Sequence, residues 1–240
     1  MLTIDYRYFP LQSDDCVLDL GCGEGRHIID MAITAPITGV GVDLNFRDLQ
    51  TTAQRFAPFE KQAAAKTFHL QQADALCLPF ASETFDKIVC SEVLEHLPDY
   101  ETVLTEIYRV LKPGGLLAIS VPRSWPEKIC WRLSKAYHQV EGGHIRIFDA
   151  RALRKQIESY RFNFISRHWA HALHTPFWWL KCLWWDKQDD SKIIRAYHRF
   201  LVWDLMDKPW LTRALEKCLN PLIGKSVVMY FRRSGDRETP

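Results

Sequence analysis

The chain has 240 residues, enough for one domain of ordinary size or one domain with a large elaboration, and 47% hydrophobic with 25% charged residues is a globular composition. A formal net charge of +2 gives no field that would favour nucleic acid or an anionic surface, and seven scattered cysteines without a C-x-x-C pair argue for reduced thiols rather than disulfides or a zinc site. The first residues show no targeting pattern and no run of about 18 apolar residues occurs, so a cytoplasmic chain without a membrane span is expected.

Residues 6–15 read as a lead-in. Cys16–Leu20 is a predicted strand that runs through a glycine turn into a helix over Arg26–Ala35, which Pro36 stops. Strand two, Gly39–Asp43, ends in a carboxylate and precedes a helix from Phe46 to about Ala57. Strand three is Thr67–Gln71, followed by Ala73-Asp74-Ala75-Leu76, and strand four is Phe85–Ser91. A helix over Tyr100–Leu111 ends at Lys112-Pro113-Gly114-Gly115, a turn signal, before strand five, Leu116–Val121. Strands alternating with helices predict a doubly wound parallel sheet.

Beyond Val121 the rhythm changes. A helix is predicted over Pro126–Gln139, a turn at Gly142-Gly143-His144, a helix over Ala150–Tyr160 capped by Asp149, and a sixth strand over Phe162–Trp169. A last strand spans Lys225–Arg232. The roughly 50 residues between them are too many for a structureless loop and read as helices near Pro176–Lys187, Ser191–Met206 and Pro209–Leu219, with Ser191 and Asp207 as caps and Pro209 at a first helical position. All nine tryptophans lie between Trp125 and Trp210, so this half is aromatic where the first is aliphatic.

The turn Asp19-Leu20-Gly21-Cys22-Gly23-Glu24-Gly25 marks a nucleotide site, with free N–H groups of the following helix facing the ligand. It is not a dinucleotide fingerprint, whose third glycine would fall at Arg26; a nicotinamide dehydrogenase is thereby disfavoured. A carboxylate at Asp19 suits an ammonium or sulfonium. In an open parallel sheet the ligand sits at the carboxyl ends of the strands, where Asp19, Asp43, Asp74 and Ser91 should converge. Asp43 is placed for two ribose hydroxyls, Asp74 and the Ala75 N–H for an adenine ring, and Leu44 and Leu76 for its two faces.

The segments Val17–Gly25, Gly41–Asn45, Ala73–Phe80, Phe85–Leu97 and Leu111–Pro122 resemble the class I S-adenosylmethionine-dependent methyltransferases, most of all the broad type 11 small-molecule group. The resemblance covers roughly residues 14–122. It implies a Rossmann-like, seven-stranded, mostly parallel sheet with an antiparallel last strand. It also implies S-adenosyl-L-methionine as cofactor, its methionine part on Asp19, Gly21, Gly23 and Gly25, its ribose on Asp43, its adenine on Asp74 and Ala75, and its methyl near Ser91. The long segment before the last strand departs from the family, which usually has a short hairpin there. The chain is thus expected to be one methyltransferase domain over 1–240, with a cofactor-binding core (1–122), an acceptor-binding part (123–224) holding a tryptophan-rich insertion (about 173–222), and the last strand (225–232).

Methyl transfer needs a base only when the acceptor is a hydroxyl or a protonated amine. His144 and His96 are the candidates, and Gly143–Phe148 resembles a Gly-His-x-Arg-x-Phe element that lines the acceptor side in some relatives. Glu92, Glu95 and His96, at helical spacing, would share a face and with His144 could bind a metal. That set resembles the metal-dependent small-RNA 2′-O-methyltransferases and quinone-biosynthesis O-methyltransferases. Relatives without metal carry Glu-x-x-Glu-His too, so no metal is expected. The aromatic run His174–Trp185 reads as the buried face of a lid, the wall of an apolar acceptor pocket, or a peripheral contact with a membrane interface. Each favours a bulky hydrophobic acceptor, with O-methylation first, on a monomer or homodimer. RNA 2′-O-methylation and a non-catalytic cofactor-binding partner are the alternatives.

Overall fold

The computed structural model describes residues 2–140, 142–187, 190–207 and 209–235. Cys16–Leu20 (β1), Thr38–Asp43 (β2), Thr67–Gln72 (β3), Phe85–Ser91 (β4), Leu111–Pro122 (β5), Phe162–Ala170 (β6) and Ser226–Arg233 (β7) form one sheet in the order β3-β2-β1-β4-β5-β7-β6. Only β7 is antiparallel to its neighbours, β5 and β6. The period of two sorts the central strands onto two cores. Leu18, Leu20, Ile88, Cys90, Leu117 and Ile119 face one; Val17, Val89, Leu116 and Ala118 face the other.

The helices are Arg26–Thr34 (α1), Phe46–Phe56 (α2), Tyr100–Val110 (α3), Ser124–Leu133 (α4), Ala136–Gln139 (α5), Ala150–Ser159 (α6), His174–Leu183 (α7), Lys192–Asp207 (α8) and Trp210–Ile223 (α9). Side chains close the N-termini where the sequence offers an acceptor: Asn45 to Arg47 N, Asp99 to Thr102 N, and Asp149 to both Arg151 N and Ala152 N. Three helices, α7 to α9, fill the long connection between β6 and β7. Chain order changes side between β1 and β4, and there the carboxyl ends of the strands open a crevice.

Several local expectations change. The helix expected over Pro126–Gln139 is broken: α4 ends at Leu133, and Ser134 Oγ accepts from Tyr137 N as α5 begins. The Lys112–Gly115 turn lies within β5, as an irregularity that pairs Leu111 with Phe85 and Leu116 with Lys87; Gly114 takes φ +78° there. Asp207 ends α8 rather than capping α9, whose N-cap is Pro209. Helix α9 runs past Leu219 and through Pro221, and the Arg123 guanidinium collects the carbonyls of Asn220, Pro221 and Leu222. The lead-in is structural: Phe9 is fully buried, and Asp5 N donates to the hydroxyl of the core residue Tyr230.

Candidate functional site

The glycine turn is shaped by backbone. Gly21 N and Cys22 N both donate to Val42 O, and Gly23 N donates to Asp43 Oδ2 at 2.8 Å. Gly21, Gly23 and Gly25 have φ of +70°, +52° and +85°. A side chain at Gly21 would place its Cβ 2.4 Å from Val93 Cγ2, and one at Gly25 would sit 2.6 Å from Thr52 Cγ2. Around Gly23 there is open space, and here the backbone is bared to a ligand.

Asp19 lies beneath this turn, buried, its Oδ2 accepting Ile28 N at 3.0 Å. Burial pushes its pKa up to about 7 against the opposing bond from Ile28 N and the charge of Arg26. A cation above the turn is what this carboxylate lacks. Asp43 ends β2, and its Oδ1 accepts Asn45 N while its carbonyl accepts Ala73 N, tying the tips of β2 and β3 together. Leu44 beside it is exposed, a free apolar face for a planar ring. Asp74 is exposed two residues past β3, with Oδ1 on Leu76 N, and Ala75 lies between them. The tips of β2 and β3 thus stand side by side, but of the residues expected to hold the cofactor only Gly21, Gly23 and Ser91 line the adjoining cleft; Asp19, Gly25, Asp43, Leu44, Asp74, Ala75 and Leu76 lie off its lining.

Ser91 Oγ is the hub of a buried polar chain. It meets Arg26 Nη2 at 3.1 Å, His27 Nε2 at 3.2 Å and Ser120 Oγ at 2.8 Å; Ser120 Oγ in turn donates to Glu92 Oε1 at 2.9 Å. Burial holds His27 well below the usual histidine range, so the chain contains a neutral imidazole. Gly21, Gly23, Arg26, Ser91, Glu92 and His171 line a cleft of about 970 Å³ whose far wall, with Asp204, Leu205, Arg213 and Glu216, is built by α8 and α9. A second pocket of about 380 Å³ continues from it, sharing Arg26, Glu92, His171 and Leu205. Phe177, Trp178, Leu201 and Val202 wall it, and His174, Lys225 and Ser226 supply polar atoms. Burial lowers His174 to about 4, so it too is neutral near pH 7.

Sequence reasoning missed Arg26, Glu92, His171, His174 and Lys225 as lining residues. Arg26 follows the third glycine and could have been found from that position. The others come from three separate segments, His171 and His174 lying on one turn, and no local pattern announces that they meet.

His96 and His144 stand together outside these linings, ring centroids 5.0 Å apart. His144 Nδ1 is 2.6 Å from Glu127 Oε1, and Glu127 Oε2 is 3.9 Å from Lys225 Nζ, which carries the connection to the pocket. Burial would raise Glu127, but the hydrogen bond with His144 and the charge of Lys225 overcome it and hold its carboxyl below the usual range. The Glu92–His96 segment is not the expected helix. Glu92 has φ +57°, and a single 3-10 turn covers Leu94–His96, so Glu92 leaves the shared face and bonds Ser120. Glu95, His96 and His144 remain, with donor atoms within 4.8 Å of one another. Both Glu95 oxygens are buried with no hydrogen-bond partner among the described residues. His96 Nδ1 is engaged by Gly143 O and His144 Nδ1 by Glu127, which leaves both Nε2 atoms available. This donor set, with a carboxylate behind one imidazole, fits a divalent cation.

A sheet of this order with an acid-tipped glycine turn at its switch point defines the class I S-adenosylmethionine-dependent methyltransferases. The chain belongs to that class: a methyltransferase-domain family matches residues 4–167. The cofactor of the family is S-adenosylmethionine. A demethylmenaquinone methyltransferase of Lactiplantibacillus plantarum is 38% identical over 120 residues, 49% of each chain. A 27-O-demethylrifamycin SV methyltransferase of Amycolatopsis mediterranei is 33% identical over 110 residues, 46% of this chain and 39% of that one. The matched part spans about half or less of the length of such relatives. An S-adenosylmethionine-dependent methyltransferase of Methanosarcina mazei shares the fold, with a TM-score of 0.63 at 17% identity over 98% of this chain and 99% of that one.

Proposed function

We propose that this protein transfers the methyl group of S-adenosylmethionine to a bulky, largely apolar acceptor, at an oxygen. The observation that carries this reading is the second pocket: it continues from the cofactor cleft, and its walls are Phe177, Trp178, Leu201, Val202 and Leu205. Five apolar side chains, beside polar and charged groups that include Arg26, Glu92, His174 and Lys225, suit a small molecule with an apolar body and a polar reacting end. Relatives named for demethylmenaquinone and demethylrifamycin point to the same class.

The sulfonium is already activated, so the chain's task is to align the acceptor and to take up a proton. Neutral His174 stands in the pocket for that role. His144 and His96 serve it from behind, through Glu127 and Lys225. Incubation with methyl-labelled S-adenosylmethionine and a cell extract, followed by separation into lipid-soluble, polar and RNA fractions, tests the reading. Label in the lipid-soluble fraction supports it; label in polar metabolites or RNA alone rejects it.

A second reading is metal-assisted O-methylation, favoured by the unpartnered oxygens of Glu95. A divalent ion held by Glu95, His96 and His144 would stand outside the linings of the cleft and the pocket, and would supply a Lewis acid only to an acceptor oxygen that reaches that cluster. Metal content after dialysis against zinc or manganese, and the melting temperature with and without each, should respond in the wild type and not in Glu95→Gln. No bound metal and no shift would end this reading.

A further inference from the structure

The aromatic run His174–Trp185 is largely spent inside the lid. Phe177 packs with Leu173, Ile194 and Leu201; Cys182 packs with Cys130 and Tyr137; Trp178 and Trp179 are half-buried against them. The exposed apolar surface lies on the next two helices instead. Helix α8 buries only Ile194 and Leu201, and α9 only Thr212. Ile193, Ala196, Phe200 and Trp203 recur at steps of three and four, a stripe along α8, with Phe200 and Trp203 rings 6.0 Å apart. Leu211, Leu215 and Leu222 make a similar stripe on α9. Between the two helices, Met206 is 74% and Trp210 79% exposed. Large apolar side chains left in water along two successive helices mark an interaction surface.

What borders the stripe names the partner. Beside it is a cleft of about 740 Å³ lined by Lys181, Lys192, His198 and Arg199 with Phe177, Ile194 and Arg195, and among the described lining residues none is acidic. The net charge of +2 hides this separation of charge. A second copy of the chain docked by two-fold symmetry would set these cations near themselves, an unfavourable arrangement. A bilayer with anionic headgroups satisfies both features. Tryptophan and phenylalanine are favoured at its interface, and its phosphates answer the cations. The acceptor pocket opens on the same face: Val202 and Leu205 line it while remaining exposed, and Phe177 and His198 belong to both the pocket and the basic cleft.

We infer that α8 and α9 form a docking surface for an anionic lipid bilayer, from which the acceptor enters the pocket without crossing water. The route, though not the docking itself, rests on the hydrophobic-acceptor reading. Co-sedimentation of the full chain with vesicles of phosphatidylcholine and phosphatidylglycerol, against phosphatidylcholine alone, tests it. Binding should be at least tenfold stronger to the anionic vesicles and fall severalfold between 50 and 500 mM salt, about as expected for cation–headgroup contacts. Met206→Asp/Trp210→Asp should weaken it at least tenfold, and Lys192→Glu/Arg199→Glu should remove the preference for anionic lipid. Calorimetry with S-adenosylmethionine and thermal melts of the same variants should match the wild type, which separates lost docking from lost folding. No vesicle binding overturns the inference. So does a protein dimer that Met206→Asp/Trp210→Asp dissociates, or an RNA affinity that replaces the lipid affinity. Vesicle binding with label found only in polar products keeps the docking surface and rejects the hydrophobic acceptor.

Discussion

The sheet tips around the glycine turn and the three-helix lid above them are built on opposite terms. In β1 and β4 the side chains of Val17, Leu18, Leu20, Ile88, Val89 and Cys90 are wholly enclosed, and every strand tip is tied to its neighbour by backbone hydrogen bonds. The lid rests on a few anchors, Phe177, Ile194 and Leu201, and turns most of its apolar surface outward. A cofactor that is the same in every turnover is met by a rigid, pre-shaped cradle. An acceptor that must enter and leave is met by elements with few buried contacts, the kind that open locally at low cost.

The largest effects should come from the cradle. Leu18→Ala removes a fully buried side chain from the centre of the sheet and should cost about 3–4 kcal/mol of folding stability, read from urea denaturation. Gly21→Ala sets a Cβ into Val93 at a left-handed backbone position and should cost about 2–3 kcal/mol while abolishing measurable cofactor binding. A Gly21→Ala protein that binds S-adenosylmethionine like the wild type would show that the turn is not the cradle.

Asp43→Ala comes next. It frees two backbone N–H groups and removes the acceptor placed for the ribose, and cofactor affinity should fall by about 2–3 kcal/mol, roughly 30- to 150-fold by calorimetry. Asp19 makes the pH prediction. With its pKa raised to about 7, the empty site holds a proton below that pH, whereas a sulfonium and an ammonium favour the carboxylate. Binding should therefore release a proton below pH 7, and affinity should fall by up to about tenfold per unit as the pH drops from 7 to 6. Proton release is read from the buffer dependence of the binding heat. For the empty fold, the raised value means stability present at low pH and lost as the pH rises from about 4 through 7.

The two regions also differ in how far the sequence discloses them. The strand pattern, the glycine turn and the acidic tips are local signals; of the four residues expected to converge, Ser91 lines the cleft, while Asp19 is buried beneath the turn and Asp43 and Asp74 lie off the cleft lining. The strand count and the antiparallel last strand followed from the resemblance, and the strand order came only with the structure. At Glu92, and more widely past Val121, local signals fail for physical reasons. Ser134 Oγ accepts from Tyr137 N and breaks a helix whose apolar spacing is continuous. Glu92 adopts a left-handed backbone that Glu-x-x-Glu-His does not announce. The pocket residues Glu92, Lys225 and the pair His171 and His174 come from three separate segments, and only tertiary folding unites them. The tryptophan-rich stretch reads equally as the buried face of a lid, a pocket wall or a membrane contact, because aromatic content cannot tell a buried wall from an exposed stripe.

The smallest predicted effect separates the two regions most directly. Leu201 is buried in the lid against Phe177 and Ile194 and also lines the acceptor pocket. Leu201→Ala should leave the main denaturation transition within about 0.5–1 kcal/mol of the wild type, because the sheet does not depend on it. Its effect should appear as faster hydrogen exchange confined to α7 and α8, and, for a transferred methyl, as a raised KM for the acceptor with cofactor affinity unchanged. A loss close to the 3–4 kcal/mol expected for Leu18→Ala would mean that lid and sheet unfold as one cooperative unit. The contrast between a fixed cradle and a loosely held lid would then be a matter of surface composition and not of dynamics.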